Sequence, residues 1–191
     1  MNIKLQKIFL AVLFISVCVA ADTDEPGPLV GTTAIHWSLK TIEGKFEKLS
    51  NYTDLPDETW TGEGERKVIV MSFFASWCPP CRVEFEQLQR LHAAYAGRGL
   101  RVVVVNLFED WGGFSDGGVR LVNYLVRRNP TFPVVKGNQV AAAAFGNVAR
   151  IPTLFIFGRD GRQATRFVHE QGMAKTHLSM DELRAVIGRL L

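Results

Sequence analysis

The sequence predicts an α/β fold in which helices flank a central mixed β-sheet, with an N-terminal β-hairpin extension. Two apolar, β-branched runs, 67–74 and 100–107, have the composition of strands buried on both faces. A helical pattern lies between them, and strand, helix and strand within about forty residues form a βαβ unit with parallel strands. A later hairpin pattern at 153–168 adds antiparallel strands, so the sheet should be mixed.

The N-terminal hairpin is predicted over residues 35–50, with Glu43-Gly44 at its turn. Its apolar residues should share one face: Ile35, Trp37, Leu39, Phe46 and Leu49.

Helical spacing predicts three helices in the middle of the chain. The first follows the cysteines, ends at Gly97 and Gly99, and should bury one face: Phe85, Leu88, Leu91 and Tyr95. The second ends at Asn129-Pro130 and should also bury one face: Val119, Val122, Tyr124 and Leu125. Residues 139–146 form a short third helix.

The C-terminal part combines a hairpin and a helix. Strands 153–157 and 163–168 flank the turn Arg159-Asp160-Gly161. Residues 179–182 are predicted to form a capping box at the start of the final helix. The buried side of this helix should contain four residues: Leu183, Val186, Ile187 and Leu190.

The chain begins with a pattern typical of export. Lys4 and Lys7 precede an uncharged stretch that ends in small residues, so residues 1–21 are predicted to be a signal peptide, with an uncleaved anchor as the alternative. Residues 22–33 are predicted to be a flexible lead-in and residues 34–191 the folded domain, since 191 residues suffice for one core. We therefore expect a periplasmic or otherwise exported protein.

Charge and cysteine content restrict the functions that the sequence allows. Removing Lys4 and Lys7 from the 22 basic residues leaves 20 against 19 acidic ones, a net charge of +1. No basic stripe with interleaved aromatic residues is present, which argues against nucleic-acid binding. Cys18 leaves with the signal peptide, so the mature chain keeps Cys78 and Cys81. A disulfide that closes so short a loop adds little stability, which favours a reactive pair.

The segment Cys78-Pro79-Pro80-Cys81 predicts thiol–disulfide chemistry. Cys78 should be the N-cap of the first helix, with Pro79 at the first helical position. Unpaired amides and the positive end of the helix dipole would then stabilise a Cys78 thiolate, the nucleophile of disulfide exchange. Cys81, one turn later, would resolve the mixed disulfide, and the two prolines stiffen the segment.

The tripeptide Ile151-Pro152-Thr153 enters the strand 153–157. A proline at this place can adopt the cis form, which would turn the Ile151 backbone outward, towards an extended peptide beside the cysteines. We interpret these three residues as a docking edge for partner polypeptides, together with three residues at the cysteines: Trp77, Pro79 and Pro80.

Residues 73–82 (FFASWCPPCR), together with Ile151-Pro152-Thr153, resemble the thioredoxin superfamily, and within it the exported TlpA/ResA-type thiol–disulfide oxidoreductases. The resemblance covers 34–191 and implies a thioredoxin fold and a redox-active Cys78–Cys81 disulfide without a dissociable cofactor. It implies protein thiols and disulfides as partners, and a reductant role in which disulfides are reduced outside the cytoplasm, including those of apocytochrome c. It further implies a membrane thiol reductant as electron donor. We expect a monomer, and Trp77 to border the cysteine or contact the partner.

The chain departs from this family at several positions. Thioredoxins carry a buried aspartate where this chain has Ser72, and serine cannot relay a proton as a carboxylate does. Glu84 matches an acidic position of ResA-like members and is the candidate base for Cys81, although a solvated helix carboxylate is the alternative. The loop 108–118 is long, and its Trp111 and Phe114 either contact a partner or only pin the loop.

Three other functions are compatible with the sequence. No second Cys-x-x-Cys or His-x-x-x-His supplies a zinc site, so no metal site is predicted. A copper-binding thioredoxin-like metallochaperone would use both thiolates and a histidine such as His169. A peroxiredoxin-like peroxidase and a non-catalytic interaction domain are further alternatives. The direction of electron flow depends on the reduction potential.

Overall fold

The computed structural model describes residues 38–48, 51–52, 65–110 and 116–191. The predicted signal peptide 1–21 and lead-in 22–33 lie outside the described residues. Individual residues named above also lie outside them: Ile35, Trp37, Leu49, Trp111 and Phe114.

A five-stranded mixed sheet forms the centre of the fold. Its strands are β3 (Val68–Phe74), β4 (Leu100–Asn106), β5 (Val134–Lys136), β6 (Thr153–Phe157) and β7 (Gln163–Val168). They lie in the order β5-β4-β3-β6-β7. β3, β4 and β5 are parallel, whereas β6 and β7 run antiparallel to their neighbours. The predicted mixed sheet and βαβ unit are confirmed, whereas β5 was not predicted.

β3 is buried along all seven residues, because its side chains alternate between two apolar layers. Val70 and Phe74 face the layer that contains helix α1 (Pro79–Tyr95) and helix α4 (Met180–Leu190). Met71 and Phe73 face the opposite layer, which includes Phe145 just beyond helix α3 (Gln139–Ala144). The sheet therefore lies between helices on both faces.

Helix α1 begins where the cysteine motif predicts. Cys78 is its N-cap, and Phe85, Leu88 and Leu91 are buried on the predicted face, with Tyr95 half-buried. A short 3-10 turn, Ala96–Arg98, continues the helix to Gly99, whose φ of 99° favours glycine. The sequence thus placed both ends of α1.

The N-terminal hairpin is present, but one of its residues was assigned to the wrong face. Strands β1 (Ser38–Lys40) and β2 (Phe46–Lys48) pair antiparallel, and Leu39 is buried opposite Glu47. Directly opposite residues share a face. Phe46 lies opposite Lys40 and is therefore 63% exposed.

The hairpin also contacts the edge of the main sheet. Thr41 forms an antiparallel bridge with Val135, and the Ile42 amide donates to the Val134 carbonyl at 3.0 Å. This backbone contact attaches the hairpin to β5.

Helix α2 (Val119–Arg128) has its buried face rotated from the prediction. Val119 and Val122 are 58% and 48% exposed, whereas Leu121 and Tyr124 are buried. The Tyr124 ring lies 5.3 Å from Phe85 between ring centroids, so packing against α1 selects this face. The helix ends at Asn129, before Pro130, as predicted.

The C-terminal elements agree with the sequence. β6 and β7 form the predicted hairpin, and Ser179 and Glu182 form both bonds of the capping box at the start of α4. Leu183 and Ile187 are buried there, with Val186 and Leu190 half-buried. Within the parts of the chain described, no helix combines the length and apolarity that a membrane span requires.

Candidate active site

The cysteine pair lies at the start of α1, directly after β3 and a short turn. Cys78 and Cys81 form a disulfide, and both are buried. The Cys78 backbone is extended, and its sulfur accepts a hydrogen bond from the Cys81 amide at 3.3 Å. Helix N-terminal amides favour negative charge, so this arrangement can stabilise a Cys78 thiolate when the pair is reduced.

The two prolines occupy the outer side of the same turn. Pro79 is exposed at the first helical position, and Pro80, half-buried, follows it. Neither has an amide hydrogen, so neither leaves an unpaired donor at the helix start.

The predicted docking residues lie at the same end of the sheet as the cysteines. Thr153 pairs with Phe73 across β6 and β3, which brings Pro152 near the turn that leads to Cys78. The Ile151–Pro152 peptide bond is cis, as the sequence suggested. Ile151 is half-buried, whereas Pro152 and Thr153 are buried.

The strand β7 supports this proline from its other side. The His169 amide donates to the Pro152 carbonyl at 3.0 Å, and the Thr153 hydroxyl donates to the Arg150 carbonyl at 2.8 Å. These bonds fix the backbone on both sides of Pro152.

Glu84 is buried, contrary to the alternative of a solvated helix carboxylate. Its side chain is 1% exposed, three residues after Cys81 on α1, a spacing that places both on one side of the helix. The Ser72 hydroxyl of β3 donates to Glu84 Oε1 at 2.5 Å, whereas Oε2 has no hydrogen-bond partner in the described part of the chain.

Burial makes Glu84 a weaker acid than an exposed glutamate. Desolvation raises the pKa of Glu84 to about 7, and the hydrogen bond from Ser72 opposes the shift only in part. A carboxyl with this pKa can accept or release a proton near neutral pH. Ser72, a position at which the sequence departs from the thioredoxin pattern, thus hydrogen-bonds to this buried carboxyl group.

Trp77 and Glu109 connect the cysteine turn to the loop after β4. The half-buried Trp77 donates from Nε1 to the Phe108 carbonyl at 2.9 Å. The buried Glu109 carboxylate accepts a hydrogen bond from the Ser76 amide at 2.9 Å and another from the Ser76 hydroxyl.

Sequence reasoning missed Glu109. The available signal was a pair of polar residues, Asn106 and Glu109, that follow a buried strand at its carboxyl end. The two side chains are joined by a hydrogen bond of 2.8 Å from Asn106 Nδ2.

Across residues 38–48, 51–52, 65–110 and 116–191, no three His, Cys, Asp or Glu side chains are grouped to hold an ion. The contact of His169 with Pro152 is through the backbone amide.

Comparison with known proteins adds independent information. The model of the AhpC/TSA family matches residues 30–163. The thiol–disulfide oxidoreductase ResA of Geobacillus thermodenitrificans is 24% identical over 155 residues, which are 81% of this chain and 78% of that protein. The sporulation thiol–disulfide oxidoreductase A of Bacillus subtilis is 27% identical over 143 residues, 74% of each chain.

Solved structures share the fold. StoA from Bacillus subtilis superposes with a TM-score of 0.56 at 20% identity, covering 79% of this chain and 95% of its own. A thiol:disulfide interchange protein of the thioredoxin family from Chlorobium tepidum gives a TM-score of 0.61 at 21% identity, covering 83% and 95%.

Proposed function

Since this chain belongs to the AhpC/TSA family, we propose that it is a thiol–disulfide oxidoreductase that reduces disulfides of protein partners outside the cytoplasm. The observation that carries the proposal is the N-cap position of Cys78, with Cys81 one turn later and the buried Glu84 on the same helix. The export pattern of residues 1–21 supports the location.

The reaction begins with the reduced pair. The Cys78 thiolate attacks a sulfur of the partner disulfide, forms a mixed disulfide and releases the partner's other sulfur as a thiolate. The backbone of the Ile151–Pro152 edge, which Thr153 supports through the Arg150 carbonyl, binds the extended partner segment beside the sulfur. Trp77, Pro79 and Pro80 border this edge.

The second step resolves the mixed disulfide. Cys81 loses its proton to the Glu84 carboxylate, and its thiolate attacks the Cys78 sulfur. The Cys78–Cys81 disulfide forms and the partner leaves as a second thiolate, so the partner gains two electrons and this chain loses two. The electrons travel on the cysteine pair itself, without a dissociable cofactor.

The electron source and the substrate are proposed from the resemblance of the cysteine segment to the TlpA/ResA-type oxidoreductases. We propose that a membrane thiol reductant returns the pair to the dithiol, and that the chain acts as a monomer. Disulfides of apocytochrome c, formed between the cysteines that receive haem, are the proposed substrates.

The reduction potential tests the direction of electron flow. Equilibration of the full chain with glutathione buffers, followed by thiol alkylation of Cys78 and Cys81, measures it. A potential near thioredoxin's, about −270 mV, supports a reductant, whereas one near about −120 mV would make the protein an oxidant.

Trapping identifies the partner class. Cys81→Ser should accumulate mixed disulfides through Cys78, and Cys78→Ser, the matched control, should not. Equal accumulation in both variants would contradict the assignment of Cys78 as nucleophile. Stoichiometric copper in protein isolated under reducing conditions would favour the metallochaperone instead.

A further inference from the structure

We propose that Glu109 is a positioning residue for Cys78: its carboxylate holds the Ser76 peptide so that Cys78 remains the N-cap of α1. The proposal goes beyond the reaction described above, in which Glu109 has no part. It rests on a hydrogen-bond network that surrounds the turn between β3 and α1.

Both oxygens of the Glu109 carboxylate bind Ser76. Oε2 accepts from the Ser76 amide at 2.9 Å, and Oε1 accepts from the Ser76 hydroxyl. Ser76 is completely buried, and Glu109 is 8% exposed. Hydrogen bonds to a charged carboxylate are about twice as strong as neutral ones, and little water reaches these to compete.

The remaining polar group of Ser76 is also fixed. Its carbonyl accepts from Arg82 Nε at 2.6 Å. The next residue, Trp77, is held through its indole by the Phe108 carbonyl, and the Cys78 amide donates to the Ala75 carbonyl at 3.2 Å. The turn is therefore held from the α1 side and from the loop after β4.

Glu109 is itself held from two further elements. Asn106, at the end of β4, donates to Oε2 at 2.8 Å, and Arg120 of α2 lies 3.4 Å from Oε1 through Nε. Arg120 also donates to the Glu109 carbonyl at 3.3 Å. A carboxylate fixed on several sides can impose one position on the peptide that it binds.

The position of Ser76 affects the reactivity of Cys78. The Cys81 amide reaches the Cys78 sulfur at 3.3 Å because the Cys78 backbone is extended at the N-cap. If the turn loosens, the sulfur moves away from the helix amides and the thiolate loses stabilisation. Positioning by Glu109 thus favours the thiolate form of Cys78.

The charge of Glu109 acts in the opposite direction. A carboxylate near a thiol disfavours the thiolate, so removal of the charge alone would make Cys78 more reactive. Positioning and charge therefore predict opposite changes in the reactivity of Cys78 when Glu109 is replaced by glutamine.

The decisive variant is Glu109→Gln, which preserves the side-chain shape but removes the charge and one acceptor oxygen. In the reduced full chain, iodoacetamide alkylation is followed at Cys78 by peptide mass spectrometry across a pH series, because Cys18 and Cys81 are also thiols. We expect the alkylation rate at pH 7 to fall about three- to tenfold, since one pKa unit is tenfold in thiolate below the pKa. The matched control Asp110→Asn, an exposed neighbour, should leave the rate unchanged.

Two outcomes would overturn the proposal. Faster alkylation of Glu109→Gln would show that Glu109 acts through its charge, and an unchanged rate would show that it has no effect on Cys78. If Glu109→Gln does not fold, Ser76→Ala decides, because it removes the hydroxyl donor and keeps the amide. Ser76→Ala should slow alkylation by a smaller factor, and a wild-type rate would refute the role.

Discussion

The burial of Glu84 makes a quantitative prediction about stability and pH. The pKa of Glu84 is about 7 in the folded chain, against 4.5 for an unperturbed glutamate carboxyl group. Between these values the folded state holds a proton that the unfolded state has released. The stabilisation from this group is therefore fully present below pH 4.5 and is lost as the pH rises through 7. A shift of this size corresponds to about 3 kcal/mol.

The variant Glu84→Gln isolates this effect. Glutamine has nearly the same shape, does not titrate, and its carbonyl can still accept the hydrogen bond from Ser72. Relative to wild type, we expect the variant to have a similar free energy of unfolding at pH 4. As the pH rises, the free energy of unfolding of the variant should increasingly exceed that of wild type, by up to about 3 kcal/mol at pH 8.

Urea unfolding of the oxidised full chain at half-unit pH steps from 4 to 8 measures the difference between variant and wild type. The oxidised form is used because disulfide cysteines do not titrate. Glu86→Gln, at an exposed carboxylate of the same helix that pairs with Arg128, is the matched control and should not gain stability over wild type across this pH range. A constant difference between Glu84→Gln and wild type across this range would refute the reasoning, since it would mean that Glu84 is not neutralised by burial.

Two further predictions concern the scaffold of the site. Phe85→Ala should lower the free energy of unfolding by about 3–5 kcal/mol, because Phe85 packs against Phe74 and Phe132 at 5.3 and 5.2 Å between ring centroids. Urea unfolding checks this beside Val83→Ala, an exposed position of the same helix, and equal losses would contradict it. Ser179→Ala should cost about 1 kcal/mol by removing the acceptor for the Glu182 amide. The same measurement tests this cap, and an unchanged midpoint would show that it contributes nothing.

The elements that the sequence predicted well are those with local causes. β3 and β4 are buried on both faces and therefore read as continuous apolar runs. Helix α4 begins at a capping box that lies within four residues. The elements predicted less well depend on distant partners: β5 has only three residues and is defined by its pairing with β4.

The two errors in assigning residues to the buried face of an element have the same origin. Leu39 and Phe46 were assigned to one face, but the register of the hairpin places Phe46 opposite Lys40 on the other. In α2, Val119 and Val122 were assigned to the buried face with Tyr124, but packing of Tyr124 against α1 leaves both valines exposed. Register and packing between elements are not visible in periodicity alone.

The same distinction applies to the site. The N-cap position of Cys78 follows from neighbouring residues, so the sequence predicted it. The burial of Glu84 depends on β3, whose Ser72 bonds to it from a distant part of the chain. The sequence alone therefore could not decide between a buried and a solvated carboxylate. Glu109 was missed because its partner Ser76 lies 33 residues earlier in the chain.

The contact between the N-terminal hairpin and β5 has a consequence for self-association. β5 and β7 are the two edge strands of the main sheet, and the free backbone groups of an edge strand can pair with a second chain. Thr41 and Ile42 already bond to the outer side of β5 at Val135 and Val134. The hairpin therefore covers the edge strand β5 and keeps it from pairing with a second chain. We expect removal of the hairpin to reduce solubility as well as stability.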